Sequence, residues 1–197
     1  MTGDPGVARR IAILGGTFDP VHVGHLILAA CARDQLACDE VLLIPNRRSP
    51  LKEPGPAASF AHRLAMLQCA IGDTPRLRVS DIEGHRESPS YTVDTLGALR
   101  ESYPDDELFL IVGGDAMQDF AHWHEAGRVQ QLAHIAVVGR RGDVPHDDRI
   151  ASIIDMPRID ISASDIRARI ARKERIDFLT PASVIAYIEE HRLYQSA

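Results

Sequence analysis

The run Ile-Ala-Ile-Leu at 11–14 stops at Gly15-Gly16 and gives way to apolar residues at helical spacing over 21–36. Four apolar residues closed by glycines read as a buried strand, and the periodic stretch after them reads as a helix. The beat repeats down the chain, with strands over 41–45, 77–82, 108–112 and 135–139, helices over 60–71 and 92–103, and a helical stretch over 115–132. A short strand near 158–161 and helices starting at Ala163 and Pro181 complete the pattern. Strands that alternate with helices of about a dozen residues are joined by crossovers, and crossovers make parallel sheets. The expected fold is therefore doubly wound α/β: a parallel sheet with helices on both faces, in one domain spanning 1–197 with its core at about 9–195. In such sheets ligands sit beyond the carboxyl ends of the strands, so the segments that follow each strand carry the functional information.

Composition narrows the partners. The chain has 22 Lys+Arg against 28 Asp+Glu, a formal net charge of −6, which speaks against nucleic acid. Its longest apolar runs, at 26–31 and 109–112, fall far short of the ~18 residues that cross a bilayer. Residues 1–10 hold Asp4, Pro5, Arg9 and Arg10 but no signal-peptide apolar stretch. These features predict a cytoplasmic protein without nucleic-acid or membrane partners, and they leave homo-oligomerisation open. Cys31, Cys38 and Cys69 share no CxxC spacing and read as small core or surface residues.

The junction after the first strand, Gly15-Gly16-Thr17-Phe18-Asp19-Pro20-Val21-His22-Val23-Gly24-His25, is the most informative segment. It is neither a Walker A loop nor a GxGxxG fingerprint. Its glycines let backbone approach a ligand, and Pro20 fits the entry of a helix whose leading N–H groups have no intrahelical partner. Such an end attracts anions. His22 and His25, three apart, share one helical face beside those donors, and Gly24 between them weakens the helix. Cationic imidazoles are disfavoured there unless an anion reverses the balance. The alternatives are a pair of capping or core histidines, or a zinc pair, for which spacing offers no third ligand.

Gly-Thr-Phe-Asp-Pro-x-His-x-Gly-His resembles the signature of the nucleotidylyltransferase superfamily, whose members transfer a nucleoside monophosphate from a triphosphate to a phosphorylated acceptor. Three further segments are similar to its bacterial nicotinate-nucleotide adenylyltransferase branch: Pro89-Ser90-Tyr91-Thr92-Val93-Asp94-Thr95-Leu96, Gly113-Gly114-Asp115 with Phe120 and Trp123, and Ile161-Ser162-Ala163-Ser164-Asp165-Ile166-Arg167. The likeness runs from Ile11 to about Tyr194. It implies a Rossmann-like fold and an enzyme of NAD biosynthesis that joins ATP and nicotinate mononucleotide into nicotinate adenine dinucleotide and pyrophosphate. Phosphopantetheine and other phosphorylated acceptors, or a nucleotide-binding protein without catalysis, are the alternatives. The Ser-Tyr-Thr segment argues against the first, and His22 and His25 kept together with Arg167 argue against the second.

On this reading Gly15, Gly16, Thr17, Phe18, His22, His25, Gly113, Asp115, Ser162, Ser164 and Arg167 bind ATP, while Thr17, Lys52, Thr92 and Trp123 bind nicotinate mononucleotide. His22, His25, Lys52 and Arg167 are the candidate catalytic groups. Several have plainer readings. Ser162 with Asp165 is a capping-box pattern. Thr92 also reads as a cap, and Trp123 as a cover for a core edge. Asp115, placed to accept ribose hydroxyls, also reads as an N-cap, and Lys52 as a solvated charge. Ser164 stands where the branch usually has Thr, and Leu51 where it usually has His. Arg47 and Arg48 are weaker phosphate candidates, and Arg140 and Arg141 weak candidates for the adenine side. Asp19 is expected to hold its own turn by local hydrogen bonds. The acceptor phosphate is already ionised, so catalysis reduces to in-line placement and charge stabilisation on the α-phosphoryl group. Mg²⁺ is expected with ATP, held by substrate oxygens and water, with no dedicated metal ligands in the chain.

Overall fold

The computed structural model describes residues 8–47, 56–85, 91–139 and 147–195. Six strands form one parallel sheet: β1 (Arg10–Gly16), β2 (Glu40–Pro45), β3 (Leu77–Val79), β4 (Glu107–Gly113), β5 (His134–Val138) and β6 (Ile150–Ile154), in the order β3-β2-β1-β4-β5-β6. The helices are α1 (Val23–Gln35), α2 (Phe60–Ile71), α3 (Thr92–Ser102), α4 (Gly114–Gln118), α5 (Ala126–Leu132), α6 (Ala163–Ala171) and α7 (Ala182–Glu190).

The strands are apolar at nearly every position because both faces are covered. Side chains alternate across the pleat, so Ala12, Leu14, Val41, Leu43, Phe109, Ile111 and Ala136 join one core with Ala29, Ala32, Met66, Leu67, Ile166 and Val184. Ile11, Ile13, Leu42, Ile44, Leu108, Leu110, Val112, Ile135 and Val137 join the other with Val93, Leu96, Leu99, Phe120, Val129 and Leu132. Each Val, Leu, Ile, Phe or Met side chain among them contributes roughly 1.5–3 kcal/mol of burial. The order reverses at β1, which pairs with β2 on one side and β4 on the other. The loops after β1 and β4 therefore diverge and open a crevice between them.

The expected doubly wound architecture is present, with three differences. The last strand is Ile150–Ile154, not 158–161. It joins the edge beside β5 with a register shift at Ile135/Ala136, whereas the stretch 158–161 alternates like a strand but pairs with no strand among the described residues. The stretch 115–132 is three pieces, α4, a 3₁₀ turn at Phe120–His122 and α5, broken where Glu125 takes a left-handed φ of 50°. β3 stops at Val79 rather than reaching 82. Among the described residues no helix is long and apolar enough to cross a membrane.

Candidate active site

Beyond Gly16 the chain doubles back on itself. Phe18 holds a left-handed φ of 50° and buries its ring over Gly16, where a Cβ would stand 2.9 Å from Phe18 Cζ. Only glycine fits there. His22 then takes extended backbone (φ −143°, ψ 171°) as the N-cap of α1, so it precedes the helix instead of sharing a helical face with His25. Pro20 likewise lies two residues before the cap, outside the first turn. The two imidazoles converge all the same, stacked with centroids 3.7 Å apart and planes 27° apart. A Cβ on Gly24 would stand 3.1 Å from both Cε1 and Nδ1 of His22. The glycine that weakens the helix thus makes room for the first ring.

The backbone N–H of His22 donates to His25 Nδ1 at 3.2 Å. A nitrogen that accepts carries no proton, so His25 presents its N–H at Nε2. The Phe18 ring meets it edge-on at 4.8 Å and fixes its plane. His22 is 8% exposed, and burial lowers its pKa from 6.5 to about 4. It is therefore neutral at physiological pH, and its buried Nδ1 has no hydrogen-bond partner among the described residues. The unfolded chain takes up this proton near pH 6.5 while the native one resists until about pH 4, so His22 erodes stability as pH falls through that window. Between pH 7 and 4.5, His22→Gln is expected to lose roughly 2 kcal/mol less stability than the parent. Denaturant titrations at the two pH values measure this, and equal losses would contradict it.

Of the leading N–H groups of α1, that of Val23 donates to Leu179 O at 3.0 Å and that of His25 to His22 O at 3.0 Å, leaving Gly24 without a partner among the described residues. A second helix start compensates. Ser162 caps α6, accepting from Asp165 N–H at 3.1 Å and donating to Asp165 Oδ2 at 2.7 Å, so the capping pattern is real. Gly16, Thr17, Phe18, His22, His25, Ser162, Ser164 and Arg167 line one cavity of about 430 Å³, together with Asp19, Asn46, Pro56, Ile161 and Ala163. Two helix N-termini, two imidazoles and a guanidinium there converge on a space suited to a polyphosphate. Arg167 is the fifth residue of α6, and its Nη1 donates to Asp19 O at 2.6 Å.

Beneath the cavity lies a buried polar frame that local sequence rules do not reveal. The Asp19 carboxylate accepts from Ala57 N–H at 2.7 Å, Ala58 N–H at 3.1 Å and Tyr194 O–H at 2.7 Å. Its role is thus long-range, not the local turn bonding expected. Arg63, 1% exposed, donates to Thr17 O at 2.7 Å, Arg47 O at 3.3 Å and Ala58 O at 3.3 Å. Burial lowers its pKa, and the Asp19 carboxylate opposes that. Glu83 accepts from Thr95 Oγ1 at 2.8 Å and Arg47 N–H at 3.3 Å, so Arg47 is tied to the frame. One signal was legible: Arg63 shares the buried stripe of α2 with Met66, Leu67 and Ile71, where a cation needs a reason to be.

The other candidates are spread more widely. Asp115 lines a separate cavity of about 630 Å³ beyond β4 and β5, with Val138, Arg149, Met156, Arg158 and Ile159 among its walls. Gly113 is the N-cap of α4, so Asp115 is not that cap. Gly15 and Gly113 line neither cavity, and nor do Thr92 and Trp123. Tyr91, not Thr92, is the N-cap of α3, and it makes no side-chain cap bond. Trp123 packs half-buried on Phe120, centroids 5.2 Å apart, with its Nε1 buried and without a hydrogen-bond partner among the described residues. His124 lies against the Tyr91 ring at 4.4 Å. Lys52, Arg48, Leu51, Pro89, Ser90, Arg140 and Arg141 fall outside the described residues.

A family model described as cytidylyltransferase-like matches residues 13–169. The "Probable nicotinate-nucleotide adenylyltransferase" of Roseiflexus castenholzii is 45% identical over 196 residues, covering 94% of this chain and 98% of that protein. The protein of the same name from Rhodopirellula baltica is 42% identical over 199 residues, with 94% and 93% covered. Among solved structures, Plasmodium falciparum nicotinic acid mononucleotide adenylyltransferase complexed with NaAD is similar at a TM-score of 0.76 and 22% identity, covering 94% of this chain and 97% of that one. That likeness carries the fold.

Proposed function

We infer that this chain, which belongs to the cytidylyltransferase-like family and within it to the nicotinate-nucleotide adenylyltransferases, transfers AMP from ATP to nicotinate mononucleotide, giving nicotinate adenine dinucleotide and pyrophosphate in NAD biosynthesis. The observation that carries the chemistry is the stacked His22–His25 pair opening on a cavity shared with the α6 N-terminus and Arg167.

A phosphate oxygen of the mononucleotide attacks the α-phosphorus of ATP, a P–O bond forms, and the bond to the bridging oxygen breaks as pyrophosphate leaves. The attacking oxygen is already ionised, so no base is required. Charge gathers on the α-phosphoryl oxygens and the departing bridge, where neutral donors fixed in advance act most strongly. His25 Nε2–H is the principal donor. His22 stands beside it, with the backbone N–H groups of Thr17, Phe18, Ala163 and Ser164 completing the cradle. Arg167 draws the β- and γ-phosphates. The larger cavity beside Asp115 suits the adenosine half, its carboxylate meeting the ribose hydroxyls. Trp123 and Thr92 form the nicotinate end, Trp123 offering an aromatic face to the pyridine ring. Lys52 contributes its charge toward the acceptor phosphate, and Gly15 and Gly113 keep the strand ends low enough for nucleotide to approach.

A resident metal does not suit these residues. Among the described residues no three His, Cys, Asp or Glu could hold one, and the cavity's carboxylate, Asp19, is already engaged by three donors. Mg²⁺ enters as part of the ATP substrate, on phosphate oxygens and water. The two cores on one sheet support a single domain, and the net charge of −6 suits a soluble protein.

Pyrophosphate release from ATP, followed with nicotinate mononucleotide, its amide and phosphopantetheine as acceptors, tests the reaction. Release that depends on a pyridine mononucleotide is expected. Release with phosphopantetheine alone, or with none, overturns the reading.

A further inference from the structure

The far end of the chain reaches the segment that carries His22 at three points. Leu179 O accepts the Val23 N–H at 3.0 Å, Thr180 Oγ1 donates to Val21 O at 2.8 Å, and Tyr194 O–H donates to Asp19 Oδ1 at 2.7 Å. Tyr194 makes its contact from a left-handed φ of 64°, a conformation a bulky residue adopts only when its surroundings impose it.

Asp19 sits between two cations. Arg63 is committed to three carbonyls. Arg167 donates to the backbone oxygen of Asp19 at 2.6 Å, and its Nη1 stays 3.8 Å from Oδ2, which takes the Ala57 N–H while Oδ1 takes the Ala58 N–H and the Tyr194 hydroxyl. A buried carboxylate attracts every donor in reach, and a guanidinium that forms a close pair with it is no longer available to a phosphate. What fills the carboxylate instead is two backbone N–H groups and the Tyr194 hydroxyl.

We propose that Tyr194 is a positioning residue for nucleotide binding: its hydroxyl anchors Oδ1 of Asp19 and so holds the carboxylate where Oδ2 stays 3.8 Å from Arg167 Nη1, leaving Arg167 available to the triphosphate. Burial, with Asp19 adding to it, raises the Tyr194 pKa, so the phenol remains a donor throughout the working range. The role rests on the reading of Arg167 as a ligand of the ATP phosphates, and it couples the C-terminal segment to the site through one hydroxyl.

A double-mutant cycle separates this from a merely structural contribution. ATP with Mg²⁺ and no acceptor is titrated calorimetrically into the full-length protein, Tyr194→Phe, Arg167→Ala and the double variant. Tyr194→Phe is nearly isosteric, so its melting temperature is expected to stay within a few degrees of the parent, with ATP binding weakened about tenfold. In the Arg167→Ala background the same change is expected to have no further effect. A crystal structure of Tyr194→Phe is expected to show Arg167 moved onto the carboxylate. Parent-like ATP binding by Tyr194→Phe, or an undiminished effect without Arg167, overturns the proposal. If Arg167→Ala itself binds ATP like the parent, the assignment of Arg167 falls and this role with it. If Arg167→Ala loses ATP but Tyr194→Phe does not, only the role of Tyr194 falls.

Discussion

His25→Ala is expected to lower kcat by roughly 10²–10³ while leaving the fold intact, the usual consequence of removing one donor from a charge-stabilising set. The imidazole is unusually well prepared for that task. Its Nδ1 accepts from the His22 backbone, its plane is held by Phe18, and its neighbour ring stacks at 3.7 Å. Each contact fixes the direction of Nε2–H before substrate arrives, so no reorganisation is needed as charge develops. Folding loses little: Ala is the best helix former, and the lost hydrogen bond is worth about 1 kcal/mol. Steady-state turnover at saturating ATP and mononucleotide, with a melting curve of the same preparation, measures both halves. Parent-like turnover would remove His25 from the chemistry.

Arg63→Met carries the largest expected effect on stability, roughly 3–5 kcal/mol, in the range for breaking a buried charged network. The thioether matches the stem of the arginine but leaves the carbonyls of Thr17, Arg47 and Ala58 without their donor, and the Asp19 carboxylate without the nearby charge. Those carbonyls belong to three different segments, the loop after β1, the loop after β2 and the approach to α2. Losing them together loosens the base of the cavity. Chemical denaturation reports the loss directly, and a variant within 1 kcal/mol of the parent would mean that the guanidinium is tolerated and not required.

The parts of this molecule that obey local rules were legible in the chain. The alternation Ile11, Ala12, Ile13, Leu14 divides between two cores, as a strand buried on both faces must. The segments that line the cavity around His22 and His25 were marked by glycines, a cap and a histidine pair. Legibility fails where partners are distant or context decides. Asp19 finds donors at Ala57, Ala58 and Tyr194, up to 175 positions away, and no periodicity encodes that. The edge strand Ile150–Ile154 is covered less fully than the central ones, so its pattern is weaker than the unpaired alternation at 158–161. His22 was placed on the helix by its spacing from His25, yet extended backbone puts it at the cap, and stacking brings the rings together by another route.

The central claim is that His22, His25 and the two helix starts hold the α-phosphate of ATP. A crystal structure of the protein with a non-hydrolysable ATP analogue tests it most directly. His25 Nε2 is expected at about 3 Å from an α-phosphate oxygen, with Arg167 turned toward the outer phosphates. An analogue bound with its α-phosphate out of reach of both imidazoles would contradict it.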